Sequence, residues 1–194
     1  MPLTSPFMTD GFTAYIGDVM TSKLTFAVWL VDDFTQQKPE GSVQVNLKDG
    51  SIKASRNLSG YYLFNDLSAG THVISVESDM YLPAEMTIDT TTLDLKKPAV
   101  QLLLKPAPQY PFPASATLLR GVVTNGSSVA GATVSVTAKP IMTFTDDRGG
   151  FVIYFKGIKT ETVMVVIKKG ADTKSIPATI EEGKTVSTGV IHFP

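Results

Sequence analysis

Apolar and polar positions alternate along this chain in short runs of the kind that form β-strands. Residues 42–48 (SVQVNLK) alternate strictly, whereas residues 24–31 (LTFAVWLV) are apolar on both faces, which is typical of a strand buried in a sheet. Turn signals such as Asp49-Gly50 separate the runs. No window shows a helical period, and strands at intervals of roughly 8–12 residues indicate all-β sandwiches or barrels.

A proline-rich stretch divides the pattern into two halves. Residues 105–116 read KPAPQYPFPASA, with four prolines between Pro106 and Pro113. Proline has no amide hydrogen for a β-ladder, so we interpret residues 106–116 as an extended linker that Tyr110 and Phe112 pin against one domain. The sequence therefore predicts β-sandwich domains over 23–105 and 117–194, preceded by an arm or added strand over 1–22.

The two halves repeat their landmarks at equal spacing. Gly41 and Gly60 lie 19 residues apart, as do Gly131 and Gly150. Tyr61 lies 15 residues before Val76, and Phe151 lies 15 before Val166. Equal spacing at three landmarks indicates a duplicated fold, in which the residue after the second glycine fills the core.

The second half also resembles a known family. The residues that carry the likeness are Gly121-Val122-Val123, residues 129–134 (VAGATV), Thr145-Asp146 and Gly150-Phe151. They resemble the carboxypeptidase regulatory-like domain, a likeness that covers roughly residues 117–194. Residues 23–105 resemble it less closely, through residues 39–43, 58–64 and 67–73. The resemblance implies two tandem Greek-key-type β-sandwich domains of transthyretin-like class, grouped with carbohydrate-binding-like folds. It implies an accessory or spacer module and no particular substrate.

Composition narrows the function classes. The net charge is -1 and charged residues make up 18% of the chain, with no block of like charge, so nucleic-acid and membrane-surface binding have little electrostatic support. The chain has no cysteine, which excludes disulfides and thiolate chemistry. Asp10 and Asp18 interrupt the apolar residues near the N-terminus, so the N-terminal sequence does not have the pattern of a secretory signal. We therefore expect a cytoplasmic protein by default, with a cell-surface location if a signal has been removed.

Residues with catalytic potential are few. His72 and His192, the two histidines, have no carboxylate or second histidine at ligand spacing, so we expect no catalytic residue, metal or cofactor. The aromatic candidates for ligand binding are Trp29, Tyr61 and Tyr62. Trp29 shares its strand face with Ala27 and Val31, and we expect it to lie in the core or between the domains rather than on an exposed binding face. The two tyrosines point in opposite directions, so that one ring reaches the surface.

Three functions from different classes follow. The first is a non-catalytic structural or protein-interaction module, two rigid sandwiches that act as a spacer or assembly component and contact other proteins through strand edges. A phage-tail-like particle is one setting for it. The second is a carbohydrate-binding module that uses Trp29, Tyr61 or Tyr62. The third, a hydrolase, requires His72 or His192 to meet an acidic residue in a pocket.

Overall fold

The computed structural model describes residues 7–9, 12–14 and 21–194, and this part of the chain is built from β-strands joined by turns and loops. It contains no helix long and apolar enough to cross a membrane. In chain order the strands are β1 (Phe7–Thr9), β2 (Phe12–Ala14), β3 (Leu24–Asp32), β4 (Val43–Leu47), β5 (Ser55–Arg56), β6 (Tyr62–Asn65), β7 (Thr71–Ser78), β8 (Ala84–Asp89), β9 (Ala99–Leu104), β10 (Thr117–Thr124), β11 (Thr133–Val136), β12 (Met142–Phe144), β13 (Gly150–Phe155), β14 (Glu161–Lys169), β15 (Asp172–Ile180) and β16 (Thr185–His192).

The first β-sandwich consists of strands β3 to β9. Its larger sheet has the order β5-β6-β3-β9, with β3 and β9 parallel, and its smaller sheet has the order β4-β7-β8. Phe26, Val28 and Leu30 on β3 point between the sheets, where they meet Phe64 and Ile74. Alternation along β3 therefore places Ala27, Trp29 and Val31 on the outer face. Trp29 is half-buried there, whereas the sequence led us to expect it in the core or between the domains.

The second β-sandwich consists of strands β10 to β16. Its sheets have the orders β13-β10-β16 and β12-β11-β14-β15, with β10 and β16 parallel. Leu119, Phe151, Val165 and Ile167 are among the buried side chains of its core. The all-β fold class with tandem sandwiches is thus confirmed, and the parallel pairing of first and last strands recurs in both sandwiches.

The repeat holds at the level of strands and at the landmark pair Gly41 and Gly131, which are both left-handed, but not at the other predicted residues. Val76 is buried, whereas Val166 is only half-buried and its neighbours Val165 and Ile167 fill the core. Because side chains alternate along a strand, a shift of one residue reverses the face. The third strand also differs, since β5 pairs with β6 in the first sandwich and β12 pairs with β11 in the second.

The glycine-aromatic landmark is displaced by one residue in the same way. Phe151 fills the core as predicted, but its buried counterpart in the first sandwich is Tyr62 and not Tyr61. Gly60 has a left-handed φ of 93°, and the corresponding left-handed glycine is Gly149, at 75°. The structural repeat at this turn is therefore 89 residues long (149 minus 60), one fewer than the sequence landmarks give.

At the N-terminus, the described residues of β1 and β2 pair antiparallel with each other, Thr9 opposite Phe12 and Phe7 opposite Ala14. Strand β2 at Phe12–Ala14 lies within residues 1–22, for which the sequence predicts an arm or added strand. The rest of the predicted arm within 1–20 lies outside the described residues, and the domain boundaries remain predictions.

Candidate functional site

Trp29 and Tyr61 lie together on the outer face of the larger sheet of the first sandwich. Their ring centroids are 4.9 Å apart and the rings are tilted by 43°. Both side chains are half-buried. A Cβ atom built at Gly60 would lie 3.3 Å from the Trp29 ring, so the glycine allows the indole to rest against the turn before β6. Two of the three aromatic candidates therefore form one surface feature.

Tyr62, the third candidate, points the other way. Its side chain is buried in the core, and its hydroxyl donates a hydrogen bond to the carbonyl of Val43 at 3.4 Å. The Arg56 guanidinium lies 5.4 Å from the ring centroid. The prediction that the two tyrosines face opposite sides is confirmed, and only Tyr61 reaches the outer face.

The two histidines lie in different sandwiches. His72 Nε2 is 2.9 Å from the carbonyl oxygen of Ser68, and its ring packs 6.2 Å from that of Phe26. His192 is exposed, and its backbone carbonyl accepts a hydrogen bond from Lys174. Across residues 21–194, no three His, Asp or Glu side chains are grouped closely enough to hold a metal ion.

A buried carboxylate, which the sequence analysis did not single out, forms the centre of a polar cluster. Asp32, the last residue of β3, is fully buried. Its Oδ1 atom accepts hydrogen bonds from the backbone N–H groups of Phe34 at 2.7 Å and Thr35 at 3.2 Å. Its Oδ2 atom accepts from the hydroxyls of Tyr81 at 3.0 Å and Tyr110 at 2.5 Å. Four donors thus compensate for the burial of this group.

The two tyrosines are held in the protonated, donating form. Burial raises the pKa of Tyr81 to about 12, with a further contribution from its bond to Asp32. Burial and the bond to Asp32 also raise the pKa of Tyr110. Because Tyr110 belongs to the linker, Asp32 joins the end of β3, the loop before β8 and the linker in one hydrogen-bonded cluster.

Part of the linker is packed against the sandwiches, while Gln109, Pro111 and residues 113–115 are exposed. Pro106, Ala107, Tyr110 and Ala116 are buried, and the Ala107 N–H donates to the Met80 carbonyl at 2.9 Å. Tyr110 lies within the core of the first sandwich. The linker is therefore part of the folded structure, although its prolines keep it out of the sheets.

Hydrogen bonds cross from one sandwich to the other at the linker. The Tyr154 hydroxyl on β13 donates to the Asp33 carbonyl at 2.8 Å, and Lys105 Nζ donates to the Met142 carbonyl at 2.7 Å. Burial raises the pKa of Tyr154, which keeps its hydroxyl a donor. The Arg120 guanidinium on β10 donates to the carbonyl of Pro108.

An aromatic cluster fills the space between these bonds. The Phe34 ring centroid lies 5.0 Å from that of Phe112 and 5.1 Å from that of Tyr154, both in edge-on geometry. These rings pack against the buried side chains of Leu118 and Val152 on the second sandwich. We call the Asp32 cluster, the crossing hydrogen bonds and these rings the junction. Phe112 contacts both sandwiches, whereas the sequence predicted that the linker is pinned to one.

The Thr-Asp pattern behind the family resemblance has a structural role. Thr145 is buried; its hydroxyl donates to the Val129 carbonyl at 2.6 Å and accepts from the Ala132 N–H at 2.8 Å. Asp146 Oδ1 accepts from the N–H groups of Arg148 and Gly150, which closes the turn before β13. These side chains brace the sandwich.

Comparisons with known proteins give structural likeness only. No family model and no curated protein matches the chain. Among solved structures, a type II cohesin–X-dockerin complex from Acetivibrio cellulolyticus is 23% identical over 38% of this chain and 52% of that one, with a TM-score of 0.31. The Bacillus anthracis TIE protein is 11% identical over 89% of this chain and 34% of that one, at 0.33.

A third match is the shaft pilin SpaA from Lactobacillus rhamnosus GG, 10% identical over 89% of this chain and 97% of that one, with a TM-score of 0.29. This chain thus spans about half or less of the first two matched chains. At such scores these likenesses assign neither a family nor an activity, and the carboxypeptidase regulatory-like resemblance remains a prediction.

Proposed function

We propose that this chain is a non-catalytic structural module in which two sandwiches form one rigid unit that serves as a spacer or assembly component. The observation that carries the proposal is the junction. A spacer must hold its ends at a fixed separation, and a flexible linker between two independent domains would not do so. Here Pro106, Ala107, Tyr110 and Ala116 of the linker are buried, and both sandwiches contribute side chains to its packing.

The junction has the character of a domain core. Its central carboxylate has four hydrogen-bond donors, and no buried side-chain polar atom within the described residues lacks a partner. Satisfied polar networks of this kind specify one arrangement, because moving either partner leaves a buried group unpaired. A protein assembly, for example a phage-tail-like particle, is the setting that we propose for such a unit.

Nuclear spin relaxation tests the rigid unit directly. We expect backbone ¹⁵N relaxation to give one rotational correlation time for both sandwiches of the wild-type chain. The double variant Phe112→Ala with Tyr154→Phe removes a ring and a crossing hydrogen bond, and should give each sandwich its own shorter correlation time. Phe144→Ala, an exposed ring elsewhere on the second sandwich, is the matched control and should leave the common value unchanged. Separate correlation times in the wild type would contradict the proposal.

Carbohydrate binding is the second candidate, because Trp29 and Tyr61 form an adjacent, half-exposed aromatic pair on an outer sheet face. Aromatic faces of this kind stack on sugar rings through their apolar surface. Trp29 is the sole tryptophan, so its fluorescence reports binding without interference. Titration with soluble polysaccharides should shift the emission, and Tyr61→Ala should weaken that response. An unchanged spectrum at millimolar sugar removes this candidate.

A further inference from the structure

An exposed turn follows strand β10 and contains the one asparagine of this chain that precedes a glycine. Asn125, Gly126 and Ser127 are all exposed, and they connect Thr124 to Ser128, which form an antiparallel bridge. An asparagine side chain carries an amide carbon, Cγ, that the main-chain nitrogen of the next residue attacks when the two atoms can approach each other. The local structure of this turn therefore decides whether Asn125 is reactive.

The main-chain nitrogen of Gly126 is accessible. Gly126 has no side chain to cover it, its φ is 98°, and a Cβ atom built there would meet no heavy atom within 4 Å. Within the part of the chain that the structure describes, no hydrogen bond has the Gly126 N–H group as its donor. Glycine also gives the main chain the greatest freedom to bring this nitrogen toward its neighbour. Neither a side chain nor a hydrogen bond thus holds the nitrogen back.

The side-chain amide of Asn125 is oriented and polarised by its own turn. The Ser127 hydroxyl donates a hydrogen bond to Asn125 Oδ1 at 3.2 Å, and the Ser127 carbonyl accepts from the Thr124 hydroxyl at 2.9 Å. Because Ser127 follows Gly126, the first bond turns the Asn125 side chain toward the Gly126 nitrogen. A donor on Oδ1 also stabilises the negative charge that this oxygen acquires when Cγ is attacked. The same hydroxyl therefore positions the amide and activates it.

The other three asparagines lack this combination. Asn46 and Asn65 are half-buried in strands β4 and β6, where pairing fixes the main chain. Asn57 is exposed, but a leucine follows it, and its Oδ1 atom accepts a hydrogen bond from the Tyr61 N–H at 2.9 Å, which closes the turn before β6. Asn125 is thus the asparagine that the structure leaves open to attack.

We propose that Asn125 is a site of intramolecular deamidation, with the Gly126 nitrogen as the nucleophile. This nitrogen gives its proton to water and bonds to Asn125 Cγ, the Cγ–Nδ2 bond breaks, and ammonia leaves with a proton returned from water. Water then opens the cyclic imide at either of its carbonyls, which yields aspartate or isoaspartate. The net change consumes one water and releases one ammonia, and nothing is oxidised or reduced.

Either product changes the turn. Both carry a negative charge that Asn125 lacks, and isoaspartate also lengthens the main chain by one atom. The segment is closed by the bridge between Thr124 and Ser128 and by the hydrogen bond from the Val129 N–H to the Val123 carbonyl at 3.2 Å. We therefore expect isoaspartate to weaken the bridge that closes the turn.

An aspartate that precedes a glycine provides a comparison within the chain. Asp49 and Gly50 lie in the exposed turn after β4. The hydroxyl and the N–H of Ser51 both donate to Asp49 Oδ1, and these bonds lower the pKa of Asp49. The side chain is therefore a carboxylate at neutral pH, and a carboxylate resists attack by nitrogen far more than a neutral amide does. We expect Asp49 to remain unchanged while Asn125 reacts.

Mass spectrometry of the full, folded chain tests the proposal. After incubation at physiological temperature and mildly alkaline pH, proteolytic peptides should show a mass gain equal to the exchange of NH₂ for OH at Asn125, and none at the other three asparagines. Chromatography should separate two products, because an imide opens to both aspartate and isoaspartate, whereas direct hydrolysis of the amide gives aspartate alone. No mass gain at Asn125, or aspartate as the single product, overturns the proposal.

Variants of the turn test the nucleophile and the positioning residue. Gly126→Ala places a methyl group beside the attacking nitrogen and should slow deamidation on the order of tenfold, and circular dichroism checks that this variant is folded. An unchanged rate in Gly126→Ala would overturn attack by this nitrogen.

Ser127→Ala removes the donor to Asn125 Oδ1 and should slow the reaction roughly two- to fivefold, as expected for one exposed hydrogen bond. Ser128→Ala, at the adjacent serine, is the matched control and should react at the wild-type rate. In urea, where the turn is unfolded, the two serine variants should react alike. Equal rates for these variants in the folded chain would overturn the positioning of Asn125 by Ser127.

Discussion

Removing one hydroxyl from the linker should measurably destabilise the first sandwich. Tyr110→Phe keeps the ring in the core but deletes the 2.5 Å hydrogen bond to Asp32, which leaves the carboxylate with three of its four donors. A hydrogen bond to a charged group contributes about 1.5–3 kcal/mol, and the loss occurs where Asp32 is fully buried and water cannot replace the donor. We therefore expect the free energy of unfolding to fall by about 2 kcal/mol.

Urea denaturation followed by Trp29 fluorescence is the assay, because Trp29 lies on β3, the strand that ends at Asp32. With a slope typical of a small domain, the expected loss lowers the midpoint by roughly 1–2 M urea at unchanged slope. Tyr61→Phe, which removes a hydroxyl from a half-buried ring outside the junction, is the matched control and should change stability by less than about 0.5 kcal/mol. Equal midpoints for Tyr110→Phe and the wild type would refute the role of Asp32 as the centre of the junction.

Three further predictions concern the fold. Because burial raises the pKa of Tyr81 from 10.0 to about 12, the unfolded chain loses this proton first, and stability should fall as the pH rises from 10 to 12. A pH series of urea midpoints checks this, and Tyr81→Phe should make the fall shallower without abolishing it, because burial also raises the pKa of Tyr110 and Tyr154. Gly149→Ala places a Cβ atom 2.3 Å from a backbone carbonyl oxygen at a residue whose φ is 75°, and should lower the free energy of unfolding by about 3 kcal/mol or more. Gly126→Ala, where φ is 98° and the added Cβ meets open space, should lower it by about 1–2 kcal/mol. Thermal denaturation measures both losses. Thr145→Val leaves the buried Ala132 N–H and Val129 C=O groups unpaired, and should lower the free energy of unfolding measured by urea denaturation by roughly 2–4 kcal/mol. A loss below about 0.5 kcal/mol would contradict the structural role of this side chain.

The alternation of apolar and polar residues was sufficient to predict most strands, since burial on one face leaves a period of two in the sequence. The opposed rings of Tyr61 and Tyr62 followed from the same rule. The half-exposed position of Trp29 did not, because a single large apolar residue in a buried-type strand is more often found in a core. The one-residue displacement of the repeat could not be predicted from alternation, because such a shift preserves composition and spacing while it reverses the buried face. Val76 and Val166 are equally apolar, and only their packing tells them apart.

The junction could not be predicted from the local sequence, for a different reason. Asp32 and Asp33 lie where the sequence has a turn-rich connection, and the two tyrosines that donate to Asp32 lie 49 and 78 residues away. The linker prolines correctly indicated a segment outside the sheets, but they say nothing about burial. Its packing depends on Tyr110 and Phe112 finding partners on elements distant in sequence, which neither periodicity nor turn chemistry encodes.

A single distance distribution tests the central claim, that the junction holds both sandwiches as one rigid unit. Spin labels on Gln44→Cys in β4 and Ser175→Cys in β15 occupy exposed strand positions in an otherwise cysteine-free chain. Double electron–electron resonance should give one narrow distance peak for this doubly labelled chain, and a broad distribution when Phe112→Ala and Tyr154→Phe are added. A broad distribution for the chain with an intact junction would show that the sandwiches move independently and would contradict the account.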